Sequence, residues 1–598
     1  MTNKTFDLQK ALPSLPIPDL DNTCEKFLTW VNPMLNEEDF KQTRQIVDDF
    51  RREGGDGQKL QQKLLAWAEK EDVSNWLESF WSDTYLSYRK PLCINNNVFY
   101  LFDDIPEFKS LTSIEQAALY INSILKFKKL IDSEQLEIDM ERDTPLCMNQ
   151  YRKLFAATRI PQKSTDTTRS PFSEQDTGSG DAKHIVVFYK GQIFKLNVIS
   201  QTGGMRVQEE ILKDLQLIVD TVENNNSNQK PIGILTTLPR DEWANARNLL
   251  IEAHPQNSSM LDIIETALFS VCMDDALPED LTEIARTMMH GNGLNRWFDK
   301  SFQLIICKNG KTGINSEHSG LDGSVIGRLL KFIANDRHNL EWRQDINIDN
   351  QITSLRFQLN KELEEFIVHA KKLFDSAVEN THVNILQFKN FGKSEIKTMR
   401  ISPDAFVQLS IQLAQYKFFK RCFNTYEPVM TRKFLHGRTE AVRTMTEASI
   451  AFVKNISLDS DDSHSVKLLR EAAKEHISRL ADCKSGMGIQ RHMLGLINMY
   501  KLFGKDLNIN SMPEIFTDTG WATITHDTFS TSTSDAAGLA MAGYGPVVDD
   551  GFGIRYVTKN DFIMFCLSSR SKNKDQLKAI SKCLNESLLE ISSLLKNK

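Results

Sequence analysis

The stretch from Ser301 to Ile333 constrains the fold more than any other part of the chain. Ser301-Phe302-Gln303-Leu304-Ile305-Ile306-Cys307 reads as a buried strand, and Asn309-Gly310 is a strong hairpin turn signal. Lys311 to Glu317 is then the returning strand, and after Gly323 the residues Val325, Ile326, Leu329, Leu330, Phe332 and Ile333 fall at helical spacing. His318 therefore sits where a strand ends and a helix begins, among small residues that leave room for a substrate. Asp322 follows four residues on, and this setting makes His318 the candidate general base. The competing reading, a histidine satisfied in a turn, is the commoner fate for any one of the twelve histidines.

Other stretches carry the same mixture of periods. His184 to Tyr189 and Gln192 to Ile199 flank Lys190-Gly191 as a second hairpin. Helical spacing marks about 20–85, broken at Glu53-Gly54-Gly55-Asp56-Gly57, and Ile114 to Leu130, Gln208 to Val222 and Asp241 to Glu252. Pro145 to Tyr151 opens a short helix ending near Arg159, and Lys163 to Lys183 reads as a polar surface loop. Pro231 to Thr236, Ser270 to Met273, Val383 to Phe388, Thr523 to Thr525, Gly553 to Tyr556 and Phe562 to Leu567 read as strands. Ser402-Pro403-Asp404 has the form of a helix start, with Ser as N-cap and Pro in the first turn. Further helices are expected over Glu440 to Val453 and Ser465 to Leu480. In the last helix Leu577, Ile580, Leu584, Leu588, Ile591 and Leu595 form one core-facing stripe. This mixing means α/β or α+β and not a helix bundle. At 598 residues more than one core is expected, and the polar stretch His338 to Asn350 marks a boundary.

Composition narrows the function classes. A net charge of -7 without acidic or basic blocks argues against nucleic acid as a main partner. No apolar run approaches the ~18 residues of a membrane span. The nine cysteines are scattered and form no CxxC pair, so neither a metal site nor a disulfide framework is expected. No secretory or Arg-rich leader and no peroxisomal C-terminal address is read at the ends.

Three constellations could carry chemistry. Lys389, Lys393, Lys397 and Arg400 lead into the helix start at Ser402, a setting for a phosphate-bearing ligand, against a solvated basic face. Ser530-Thr531-Ser532-Thr533-Ser534 offers hydroxyls to an oxyanion or a carboxylate, against the more ordinary reading of a polar surface loop. Tyr426, the Gly437-Arg438-Thr439-Glu440 run and Arg491 place arginines beside apolar residues, where a bound carboxylate or a structural ion pair is the partner.

In this order the pieces resemble the carnitine/choline acyltransferase family over nearly the whole chain. The likeness runs through Leu15-Pro16-Ile17-Pro18, Pro145-Leu146-Cys147-Met148-Asn149-Gln150-Tyr151, His290-Gly291 and Asn295-Arg296-Trp297-Phe298-Asp299-Lys300. It continues through Glu317-His318 with Asp322-Gly323, Ser402-Pro403-Asp404-Ala405-Phe406, Gly437-Arg438-Thr439-Glu440, Arg491-His492, Ser530-Thr531-Ser532 and Gly545-Pro546-Val547-Val548. The resemblance implies an α/β fold of two domains, each like a chloramphenicol-acetyltransferase subunit, with a tunnel between them. Residues 1–85 would be a helical segment on the C-terminal domain, 86–350 the domain with the base, and 351–598 the domain with the coenzyme A and carnitine sites.

By motif match, His318 falls on the base and Ser532 on the oxyanion donor. Lys393, Lys397 and Asp404 fall on coenzyme A positions. Tyr426, Thr439 and Arg491 fall on positions that hold the carnitine carboxylate, with Ser530 near the carnitine. Ala542 falls on the position that gates the acyl pocket, where a small residue opens a channel. The reaction implied is reversible acyl transfer between coenzyme A and the carnitine hydroxyl, medium or long chains favoured, with no permanently bound cofactor and no metal. Acetyl transfer to carnitine is the alternative; transfer to choline, or a non-catalytic acyl-CoA-binding homologue, comes further behind. The resemblance also implies a mitochondrial monomer, with peroxisomal or cytoplasmic placement as the alternative, without a membrane-spanning segment and with peripheral membrane contact left open. The chain departs from the family pattern at Gly320-Leu321, at Pro428 in place of a carboxylate-holding serine, and in lacking the insertion that long-chain mitochondrial members carry ahead of Pro145.

Overall fold

The Asn309-Gly310 hairpin forms as its chemistry requires. Gly310 takes φ +81°, and the strands Phe302–Cys307 and Thr312–Ser316 pair antiparallel with Thr312 opposite Ile306. At the second hairpin both turn residues are left-handed, Lys190 at φ 46° and Gly191 at φ 74°, the conformation that matches the twist of two flanking strands. The computed structural model describes residues 4–596 except 173–181, 201, 225–228, 337, 339, 341–350, 459–461 and 535. Most of the 338–350 stretch and part of the 163–183 stretch thus lie outside the described residues.

Two large sheets organise the molecule. The first has eight strands in the order Ile352–Leu355, Gln192–Asn197, His184–Tyr189, Ser270–Asp274, Phe302–Cys307, Thr312–Ser316, Val98–Phe102, Leu539–Gly543. The second has six, in the order Thr381–Phe388, Ile563–Arg570, Phe552–Thr558, Phe529–Thr533, Thr425–Met430, Thr439–Arg443. Both contain parallel and antiparallel pairs and both are flanked by helices, so the fold is mixed α/β. Strands such as Phe302–Cys307 are buried at every position, which is why they read as continuous apolar runs and do not alternate. Two strands from beyond residue 350 join the first sheet. Ile352–Leu355 closes one edge, and Leu539–Gly543 pairs with Val98–Phe102 at the other, with Tyr100 opposite Ala542.

The predicted stripe of the last helix is core: Leu577, Ile580, Leu584, Leu588, Ile591 and Leu595 are buried against the second sheet and the helix Pro403–Phe419. The N-terminal helices Leu20–Val31, Glu37–Arg51 and Asp56–Ala68 pack their apolar faces on the helix Gln490–Phe503 and on Val429 and Val442 of the second sheet.

Five local expectations fail, each for a physical reason. Pro231 to Thr236 is not a strand but a buried 3-10 helix, Ile232–Thr237, in which the Thr236 and Thr237 hydroxyls donate back to Gly233 and Ile234 carbonyls. Glu440 to Val453 splits into the strand Thr439–Arg443 and the helix Glu447–Ile456, whose Thr446/Ser449 capping box marks the true start. Thr523 to Thr525 is the end of a helix, Thr519–Thr525, capped by Asp518. The Pro145 motif leads into a 3-10 turn, Asn149–Lys153, followed by the strand Thr158–Ile160. Ser530 to Thr533 is a buried strand and not a surface loop, because its alternate residue Thr531 is bonded by Gln408 of the helix beneath it.

Candidate active site

The turn carrying His318 is held from three sides. Glu317 accepts from the Ser319 amide and hydroxyl and pairs with Arg159 at 3.4 Å. Asp322 stands at the N-cap position of the next helix without capping it, its carboxylate accepting instead from Gln150 Nε2 at 2.7 Å and Arg438 Nε at 3.0 Å, while its own amide donates to Gln150 Oε1. Arg438 also donates to the carbonyl oxygens of Ser319 and His318. The Tyr85 ring stands edge-on to His318 with 5.7 Å between centroids. Burial pushes the His318 pKa down; Asp322 pulls it up and Arg438 opposes that, and the outcome lies below the usual 6.5. For Asp322, burial pushes up, but the charges of Arg438 and His318 and the two side-chain hydrogen bonds outweigh it, so the carboxyl titrates below the ordinary range. The arrangement is a neutral imidazole at neutral pH, next to a carboxylate that stays ionised.

Arg159 ties this turn to the N-terminal helices. Its Nε binds Asp166 at 2.7 Å and its Nη2 donates to the carbonyl oxygens of Tyr85, Leu86 and Tyr88. Asp166 also binds Arg240, which binds Asp299, and Trp243 Nε1 donates to Asp299. The Asn295 to Lys300 motif is therefore scaffold beneath the site, with Arg296 paired to Asp274 and Lys300 bonded to Thr158 and the Glu265 carbonyl.

The structure brings Tyr426, Thr439 and Arg491 together. Arg491 Nε donates to the Thr439 carbonyl at 2.8 Å and its Nη2 lies 3.5 Å from Thr439 Oγ1, while its charge acts on the buried Tyr426 hydroxyl. Its guanidinium lies 3.8 Å from the Trp81 ring centre. Trp81 meets Tyr85 edge-on at 5.3 Å, one helical turn further on, so a continuous line of rings runs from Arg491 to His318. Among the described residues no carboxylate oxygen lies within 4 Å of the Arg491 guanidinium, although the residue is only 7% exposed.

Ser530 is opposite Tyr426 across a parallel strand pair and takes a hydroxyl bond from Tyr544 on its carbonyl. Ser532 lies two residues on, 8% exposed, and its Oγ accepts from Arg555 Nη1 at 2.6 Å. Ser530 and Ser532 point away from the helix-covered face where Thr531 is bonded. A β-carbon on Gly323, the residue after Asp322, would come within 3.1 Å of Tyr100 Oη and 3.3 Å of Arg555 Nη2. That contact joins the serine strand to the His318 turn and to Ala542, the register partner of Tyr100.

Lys393, Lys397 and Asp404 lie on helices and not on the strand that carries Ser530 and Ser532. Lys393 and Lys397 lie on the short helix Lys393–Thr398 and Asp404 in the first turn of Pro403–Phe419. Asp404 accepts from the Tyr556 hydroxyl at 2.7 Å and contacts His476 Nε2 at 3.0 Å, with Glu427 beside them. Asp404, Glu427 and His476 bring three possible ligand atoms within 4.8 Å of one another. Burial and the Asp404 charge push the Glu427 carboxyl far up, while burial's upward push on Asp404 is outweighed by His476, so Asp404 is held low.

Sequence reasoning passed over Tyr85, Arg159 and Arg555 and gave Gln150 no role; for Arg438 the structure holds the ion-pair reading, with Asp322 as partner. For Arg555 a signal existed, since it is the one charge inside Phe552-Gly553-Ile554-Arg555-Tyr556-Val557. For Tyr85 there was none, because its place over His318 depends on packing between distant segments.

A family model described as choline/carnitine O-acyltransferase matches residues 15–586. The chain belongs to this family. It is therefore an acyltransferase. It is 34% identical to the carnitine O-acetyltransferase of Columba livia over 603 aligned residues, covering 98% of this chain and 94% of that one. It is 33% identical to the choline O-acetyltransferase of Danio rerio, covering 94% and 89%. It is 31% identical to the protein named mitochondrial carnitine O-palmitoyltransferase 2 of Mus musculus, covering 97% and 92%. Among the described residues of this acyltransferase no helix is long and apolar enough to cross a membrane.

Proposed function

We propose that the protein is a carnitine O-acyltransferase, moving an acyl group reversibly between coenzyme A and the carnitine hydroxyl. The observation that carries the reading is Arg491, buried and without a carboxylate partner among the described residues, beside Thr439 and Tyr426. A buried guanidinium with free donors suits a substrate carboxylate. Carnitine has one and choline does not. Pro428 leaves one hydroxyl fewer for that carboxylate, which puts more of the binding on Arg491.

In the mechanism, neutral His318 takes the proton of the carnitine hydroxyl as the oxygen attacks the thioester carbonyl. The thiolate of coenzyme A leaves and takes the proton from the imidazolium. The oxyanion is met by the Ser532 hydroxyl and by the trimethylammonium of carnitine itself, with Ser530 alongside. Lys393 and Lys397 serve the phosphates of coenzyme A, and Asp404 belongs to the same coenzyme A site. The depressed pKa of His318 supports the role, since the base is unprotonated at neutral pH. The reading extends to a mitochondrial monomer.

For the acyl group, Ala542 supports medium or long chains, because a small side chain leaves the gate position open. A second reading, a short-chain enzyme, is favoured by Tyr100, which faces Ala542 across the strand pair and has the Arg555 guanidinium 5.7 Å from its ring. The test is thiol release from acetyl-, octanoyl- and palmitoyl-CoA with L-carnitine or choline as acceptor. Choline matching carnitine would overturn the proposal, and the ranking of acyl-CoA substrates decides between the two chain-length readings.

A further inference from the structure

We propose that Arg555 is a positioning residue of the acyl-transfer site, which aims the Ser532 hydroxyl at the developing oxyanion and places a positive charge behind it. This rests on the reading of Ser532 as the oxyanion donor. Arg555 is in register with Ser532 across the parallel pair Phe529–Thr533 and Phe552–Thr558, so both side chains leave the same face of the second sheet. It is 6% exposed. Its Nη1 donates to Ser532 Oγ at 2.6 Å, its Nη2 donates to Ser534 Oγ, and its Nε has no acceptor.

No carboxylate oxygen among the described residues lies within 4 Å of the Arg555 guanidinium. A guanidinium stays charged in proteins, and a buried charge without a counter-ion is costly unless something compensates it. Two neutral serine hydroxyls do not. The negative charge that arises here during acyl transfer is the tetrahedral oxyanion.

The hydrogen-bond directions agree. Arg555 occupies a lone pair of Ser532 Oγ, so the one Ser532 proton is left to donate elsewhere, away from the guanidinium. Donation by Arg555 also polarises that O–H bond. As the carnitine oxygen bonds to the thioester carbon, the carbonyl π pair moves onto oxygen and Ser532 donates to it. When the carbon–sulfur bond breaks, that pair returns and the thiolate is protonated by His318. Neither Ser532 nor Arg555 gains or loses a proton. Arg555 also reaches the head of the helix that follows His318, where a β-carbon on Gly323 would lie 3.3 Å from its Nη2.

The test is steady-state thiol release from acetyl-CoA with L-carnitine, with melting temperatures as a folding control. Arg555→Gln should lower kcat about tenfold, less than the ~10²–10³-fold loss of a direct donor, and leave both KM values within about twofold. Arg555→Lys keeps the charge but not the second prong, and should fall between wild type and Arg555→Gln. If Arg555→Gln does not fold, a severalfold kcat loss in Arg555→Lys at unchanged KM supports the proposal and a wild-type kcat overturns it. Because the action runs through Ser532, Ser532→Ala and the double variant should be equally slow. Impaired Ser532→Ala beside a normal Arg555→Gln, or losses that multiply in the double variant, would overturn the role of Arg555 alone. A fully active Ser532→Ala would instead sink the oxyanion-donor reading beneath it.

Discussion

Arg438 grips Asp322 through Nε at 3.0 Å and, with its two terminal nitrogens, the carbonyl oxygens of Ser319 and His318. One side chain from just ahead of the strand Thr439–Arg443 thereby fixes both ends of the turn that carries the imidazole. The next residue along, Thr439, lies against Arg491. The residue that braces the base and one proposed to recognise the acceptor are thus neighbours in the chain.

Burial holds His318 below its ordinary value, with Asp322 pulling the other way. The acid limb of kcat/KM is therefore expected below pH 6.5. Asp322→Asn removes the carboxylate that favours the imidazolium, so the limb should move to still lower pH. A move to higher pH would contradict the assignment of His318 as the base. His318→Ala should cost ~10²–10⁴-fold in kcat while the protein stays folded.

Arg491→Asn should raise the KM for carnitine at least tenfold and leave the KM for acyl-CoA nearly unchanged, on the order of 1.5–3 kcal/mol for a charged hydrogen bond. Equal losses for both substrates would mark Arg491 as structural, a strut between Thr439 and the Trp81 ring.

Ala542→Met places a long side chain opposite Tyr100. If Ala542 borders the acyl site, octanoyl transfer should fall by at least tenfold and acetyl transfer by little, each excluded methylene forfeiting ~0.8 kcal/mol. Unchanged octanoyl turnover would show that Ala542 is not the gate.

His184, His290 and His492 are all buried, and burial pushes each down to about 4. These residues are neutral in the fold at pH values where the unfolded chain is already protonated. Their contribution to stability is fully present above pH 6.5 and is lost as pH falls towards 4, on the order of 3 kcal/mol each. The melting temperature should drop steeply across that window. His492 bridges Thr23 and Gln61 of the N-terminal helices, so His492→Gln should make the profile shallower and the neutral-pH protein less stable. An unchanged profile would mean that His492 takes up its proton equally in the folded and unfolded chain.

Local chemistry was readable in advance wherever one segment decides it. Asn309-Gly310 and Lys190-Gly191 announce their turns, Ser402-Pro403 its helix, and the leucines from Leu577 to Leu595 their buried face. What escaped depends on distant partners. Glu440 and its neighbours have helical spacing, yet they complete a sheet because Thr425–Met430 offers hydrogen-bonding groups that an isolated segment cannot foresee. The serine run looks like a loop until Gln408 takes Thr531 from beneath. In the site, His318 and Ser532 stand out by motif, whereas Tyr85 and Arg159 acquire a place only when residues far apart in sequence meet.

The strand Leu539–Gly543 leaves the half of the chain that builds the second sheet and becomes an edge of the first. A partition of the protein near residue 350 would strip that edge from the N-terminal fragment, exposing the Val98–Phe102 backbone to chance pairing. The same crossing restrains any clamshell motion of the two sheets, since opening them would break a ladder of hydrogen bonds. Turnover should therefore depend little on hinge bending between the two sheets, because the ladder that joins them would have to break.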